Sequence, residues 1–299
     1  MGQTSTAAAA AQSTPESQLV LSHAIATVAK TVDEKILALP GSRDRLLPAI
    51  RHAIAYYERA INTIPGPIGV SAEAHPRKAA LSAVFPTADD ITAGLGRSIA
   101  VRNSINWFVE NEHSRVFAIM GTRLRPGSSS AGLTDHTFRS LAASDHDSRE
   151  CLCEAAFTGL INAFSSRLRE RIREWRALHA GNQPQLGDGR SAVVAALPSA
   201  GPSQRQQEIF ASHLDPNGND LSAEDGLNAL IEWLQAPEAQ LRINTEAGQA
   251  AVMLDGNLTL PLLSSTDRRH WLVCLTEISL QEVLDAIGKT PAANRYILI

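Results

Sequence analysis

Along most of the chain, apolar residues recur every three or four positions, the spacing of one face of an α-helix. Leu21, Ile25, Val28, Val32 and Ile36 form such a series and predict a helix over about Pro15–Leu39, ended by Pro40-Gly41. Leu46/Leu47, Ile50, Ile54, Tyr57, Ile61 and Ile64 predict a second, from Ser42 or Asp44 to Pro65-Gly66-Pro67, with Pro48 in its first turn. The short connection makes the pair an αα-hairpin. A helical piece at Ala79–Val84 follows. Thr87-x-x-Asp90 then opens a helix that Ile91, Leu95, Ile99, Ile105 and Phe108 carry towards Glu112. Gly94 and Gly96 interrupt that pattern, each at a cost of up to about 1 kcal/mol relative to Ala. G-L-G-R has neither the preceding strand nor the third Gly of a phosphate loop, so close helix packing is the expected cause.

The pattern changes at Arg115–Leu124. Val116, Phe117, Ala118, Ile119 and Met120 are consecutive and uncharged, as in a strand buried on both faces or a short core helix, and Val and Ile favour the strand. Arg125–Gly132 reads as a loop, and the polar stretch on to Asp145 as more of it. The longest helix is predicted from about Asp147 to His179, capped by Ser148, with Phe157, Leu160/Ile161, Phe164, Leu168, Ile172, Trp175 and Leu178 on one stripe. After it, 183–190 is linker-like, residues 191–197 are apolar, and 203–214 and 223–234 are helical. Beyond them, alternation at 240–245, an apolar run at 250–254, the turn Asp255-Gly256-Asn257 and the run 268–278 predict antiparallel strands. Ser279-x-x-Glu282 caps a last helix, and 296–299 reads as an edge strand.

The expected fold is therefore α+β and mainly helical. A tail at 1–15 precedes a helical domain over 16–182, and a linker at 183–190 leads to a smaller α+β domain over 191–299 with a short antiparallel sheet.

Composition narrows the functions. An apolar fraction of 44% with 19% charged residues describes a soluble, core-forming chain. A net charge of −4 argues against general nucleic-acid binding. Three cysteines give no disulfide framework and fit a reducing cytoplasm. The opening stretch lacks the basic and apolar regions of a secretory signal, and no run is long enough to span a bilayer, so no membrane partner is expected.

Candidate chemistry concentrates at 135–153. Asp135, His136, Arg139, Asp145, His146 and Asp147, with Cys151 and Cys153, are residue types that hold metals or move protons, although no zinc-motif spacing is present. His136, Asp145, His146 and Asp147 are the metal candidates, and Arg123, Arg125 and Arg139 can join His136 in an anion site around the central loop. Asp215, Asn217 and Asn219 resemble the first ligands of a calcium loop, but Gly is missing at the turn and Glu at the closing position. No catalytic residue and no cofactor can be assigned. Arg167, Arg169, Arg171, Arg173 and Arg176 read as a solvated helix end, with phosphate or nucleic acid the less economical alternative. A cytoplasmic protein-binding or scaffold role is the leading expectation. An enzyme or ligand sensor using the 135–153 segment is the rival.

Overall fold

Of the 299 residues, the computed structural model describes 15–124, 133–180, 203–213, 222–244, 251–254, 258–265 and 270–290. The amphipathic series at the start form helices α1 (Pro15–Thr31), α2 (Glu34–Leu37) and α3 (Ser42–Asn62). The single helix expected over 15–39 is broken because Asp33 is extended, and its carboxylate accepts the Lys35 N–H at 2.9 Å to start α2 afresh. Pro48 lies in the second turn of α3, deeper than expected.

A short strand β1 (Ile68–Val70) and a 3-10 turn at His75–Arg77 lead to α4 (Ala79–Val84), α5 (Ala88–Arg97) and α6 (Ile99–Glu110). Thr87 and Asp90 form the expected capping box. The continuous helix expected as far as Glu112 is divided at Ser98, which is extended, accepts the Val101 N–H and donates to the Phe138 carbonyl at 3.2 Å. Gly96 explains the local geometry. A Cβ there would overlap the Thr290 side chain and the Ala286 carbonyl, so close helix packing does account for this glycine.

Strands β2 (Arg115–Leu124) and β3 (Leu133–Ala142) are followed by the 36-residue α7 (Asp145–Ala180), then α8 (Gln204–His213) and α9 (Ala223–Leu234). Strands β4 (Leu241–Asn244), β5 (Ala251–Leu254), β6 (Leu258–Ser265) and β7 (His270–Ser279) precede α10 (Leu280–Lys289). The sheet runs β3-β2-β7-β6-β4, with β5 also on β6 and β1 parallel to β7. Its other pairings are antiparallel.

Strand β2 is apolar without alternation because helices cover both sheet faces. Ile119, Val273 and Leu275 enter a core with α1, α3, α7, α8 and α9. Ala118, Met120, Phe138, Cys274 and Ile278 enter a second core with α4, α5, α6 and α10. The fold is thus α+β and mainly helical, with its antiparallel sheet between two helical layers.

Two expectations need correction. The segment at 134–139 is strand β3 rather than loop, its polar residues belonging to the strand at the edge of the sheet among the described residues. Helix α7 begins at Asp145, where the Ser144 hydroxyl accepts the Asp147 N–H at 3.1 Å; Ser148, expected as the cap, is buried and donates to the Ser140 carbonyl at 2.6 Å.

The expected linker at 183–190 lies outside the described residues, as do 191–197, the 255–257 turn and 296–299. Elements on its two sides share both the sheet and the cores: β2 pairs with β7 from Arg115–Ser279 to Thr122–Leu272, and Trp233 of α9 donates to the Leu160 carbonyl of α7 at 3.0 Å. A polar, Gly-rich stretch in the sequence carries no information about pairing across it.

Candidate functional site

The residues with expected chemistry are spread over several surfaces. His136 sits half-buried on β3 with its ring 4.4 Å from that of Phe85, beside Gly94 of α5, in the second core's layer. Its Nδ1 is buried and has no hydrogen-bond partner. Burial pushes its pKa below the usual histidine value, against the opposing pull of the Asp90 and Asp135 charges. Arg123 is on the other side of the sheet: its guanidinium lies 4.1 Å from the centre of the Trp271 ring, and Trp271 packs on the first core. Asp135 has a positive φ of 57° and is exposed, as is Arg139.

Asp145, His146 and Asp147 form the exposed first turn of α7, where the Asp145 carboxylate accepts the His146 N–H at 2.8 Å. From His136 to the end of β3 is about 20 Å of extended chain, so this turn and His136 do not converge through the strand. Among the described residues no three His, Cys, Asp or Glu side chains are grouped to hold a metal ion. Cys151 is exposed and Cys153 buried; burial, with Glu58 and other carboxylates nearby, pushes the Cys153 thiol up to about 12. Asp215, Asn217 and Asn219 lie outside the described residues, while Asp225 and Ser222 cap α9.

Two polar pairings escaped the sequence patterns. His213 Nε2 lies 2.7 Å from one Glu232 oxygen and Arg205 lies 3.0 Å from the other, which ties α8 to α9. Ser264 and His270 approach to 3.0 Å on the exposed β6–β7 pair. Each is spread across two elements, so no fixed spacing announces it.

A hollow lies at the opposite end of α7. Its buried stripe runs through Phe157, Leu160, Ile161, Phe164 and Leu168, then continues to Ile172 and Trp175, which are only half-buried. There the α1–α2 turn, α2, α7 and the start of α9 leave two adjoining cavities of about 250 and 430 Å³. Ile36, Leu168, Ile172 and Trp175 form the apolar floor, and Gly226 lets α9 close on Ile36.

Cations stand on the rim. Arg167 and Arg171 are held by Glu170 and Glu174 at 2.5 and 2.9 Å. Lys35, Arg169 and Arg176 line the cavities, are exposed, and have no carboxylate partner among the described residues. Of the two rim acids, Asp33 is engaged as the α2 cap and Glu34 stands beside it. The arrangement offers apolar anchorage with cationic surroundings and no nucleophile–base pair. Comparison with protein-family models, with curated proteins and with solved structures finds no match for the chain.

Proposed function

We propose that the protein is a protein-interaction module that holds a partner in the cleft between α2, α7 and α9. The observation that carries this is the apolar floor of the cleft, where half-buried Ile172 lies beside buried Ile36 and Leu168. An apolar floor with polar edges is how partner surfaces are built. The dispersal of the His and Asp candidates supports a binding role over a catalytic one. Free cysteines are compatible with action in a reducing compartment such as the cytoplasm. No helix among the described residues is long and apolar enough to cross a membrane.

The test is quantitative proximity labelling in the source cell with the wild-type chain, an Ile172→Asp variant, and a His136→Ala/His146→Ala variant, each shown to be folded by circular dichroism. The expected result is a labelled set that disappears with Ile172→Asp and persists in the double histidine variant. Persistence in Ile172→Asp with loss in the histidine variant would overturn this reading in favour of the rival site on β3 and α7.

A further inference from the structure

We propose that the occupant of the cleft is a second copy of this chain, an inference that rests on the interaction role above. The rim is divided by sign. Asp33 and Glu34 stand on the wall formed by the α1–α2 turn and α2, with Lys35 beside them, while Arg169 and Arg176 stand on the α7 wall. Each hollow therefore has a carboxylate on one wall and a guanidinium on the other. In the larger, Asp33 and Glu34 share the lining with Arg169, and in the smaller, Asp33 shares it with Arg176. All five charged side chains are exposed, and among the described residues no ion pair joins the two walls. Asp33 accepts the Lys35 N–H and keeps its charge while it does so.

A cleft with opposite signs on its two walls is complementary to itself. A two-fold axis running along the cleft, between the walls, carries the α2 wall of one copy over the α7 wall of the other and keeps each residue at its own level. Arg169 of one copy then meets Glu34 of the other, Arg176 meets Asp33, and the same pairs recur by symmetry. The arginine stems fill the facing hollows of about 250 and 430 Å³ and lie over Ile172 and Leu168, while their heads reach the opposite carboxylates. Lys35 keeps to the outer edge, in solvent. A purely acidic occupant would set like charge against Asp33 and Glu34, and a purely basic one against the three cations. A second copy answers both signs at once. Being exposed, the pairs contribute mainly register and encounter rate, while the covered apolar floor holds the dimer.

The experiment is sedimentation velocity of the full chain over a concentration series at low salt. A monomer–dimer equilibrium with a dissociation constant of about 10 μM is expected, weakening severalfold at about 1 M salt. Glu34→Arg and Arg169→Glu, made separately, each place like charges across the interface twice and are expected to weaken the dimer at least tenfold. Neither touches the Asp33 cap of α2. An equimolar mixture of the two variants restores one native and one reversed pair, so a heterodimer within about threefold of wild-type affinity is expected. A folding defect in either variant would not be rescued by mixing. Ile172→Asp is expected to raise the dissociation constant about a hundredfold. In the proximity experiment the untagged chain is then itself the labelled partner. A wild-type chain that stays monomeric throughout, or a dimer indifferent to these variants, would overturn the second copy. An Ile172-dependent labelled set of other proteins would in that case leave the interaction role standing. Loss of the dimer in both charge variants without recovery in the mixture would overturn the pairing of α2 with α7 across the two-fold axis.

Discussion

The two ends of α7 differ in what their side chains are free to do. At the N-terminal end Ser144, Asp145, His146, Asp147 and Ser148 form the densest polar cluster in the chain, and much of its hydrogen bonding serves the backbone. Ser144 and Asp145 receive N–H groups of the first turn, and Ser148 ties the helix to β3. At the C-terminal end the apolar stripe passes from buried Leu168 to half-buried Ile172, and Lys35, Arg169 and Arg176 stand on the cleft rim with Asp33 and Glu34. A functional cluster and the capping of a helix terminus draw on the same residue types, so residue type alone does not separate one from the other.

The sharpest way to break this contrast is to cut the stripe at both depths. Phe164 is fully buried against Phe210 and Trp233, with ring centres 5.5 and 5.8 Å away. Phe164→Ala is expected to cost about 3–5 kcal/mol in urea unfolding. Ile172→Asp, in the half-buried part, should cost only about 1–2 kcal/mol while abolishing binding. Equal losses would mean that Ile172 belongs to the sealed core and that the cleft is no docking surface. At the other end of the helix, Ser144→Ala removes the cap and is expected to cost about 1 kcal/mol in the same assay. Asp147→Asn, which leaves that cap in place, should shift stability by no more than about 0.5 kcal/mol.

His136 supplies a smaller effect with a defined sign. Its folded pKa lies below the unfolded value near 6.5, so between the two the unfolded chain binds the extra proton. The neutral ring's contribution is complete above that unfolded value and is lost as pH falls through the folded one. A His136→Leu variant should flatten this acid limb of stability against pH, measured by urea unfolding from pH 7.5 to 5. An unchanged limb would assign the slope to other groups. Smallest of all, thiol labelling of the native chain should modify exposed Cys151 first, leaving Cys153 and Cys274 for the unfolded state, since burial raises both of those thiols to about 12.

Much of the fold is legible in local spacing. The stripes of α3 and α7, the boxes at Thr87–Asp90 and Ser279–Glu282, and the uncharged run of β2 all encode their elements directly. What is not legible depends on partners distant in sequence. β3 reads as a loop because an edge strand needs no apolar alternation on its open side. At the break between α5 and α6, Ser98 bonds to β3 and Gly96 meets α10, and the pairing of β2 with β7 joins residues on opposite sides of the linker-like stretch. The cleft was half visible: Leu168, Ile172 and Trp175 appear in the stripe, but periodicity gives direction and not cover. That Ile36 and Gly226 line a cleft beside them is a property of the assembled helices.

The most direct test is hydrogen–deuterium exchange of the full chain with and without the partner that proximity labelling identifies. Protection is expected in 31–36, 165–176 and 222–226, with 135–149 unchanged. Protection confined to 135–149, or none in the cleft segments at saturating partner, would contradict the assignment of the interaction site to the C-terminal end of α7.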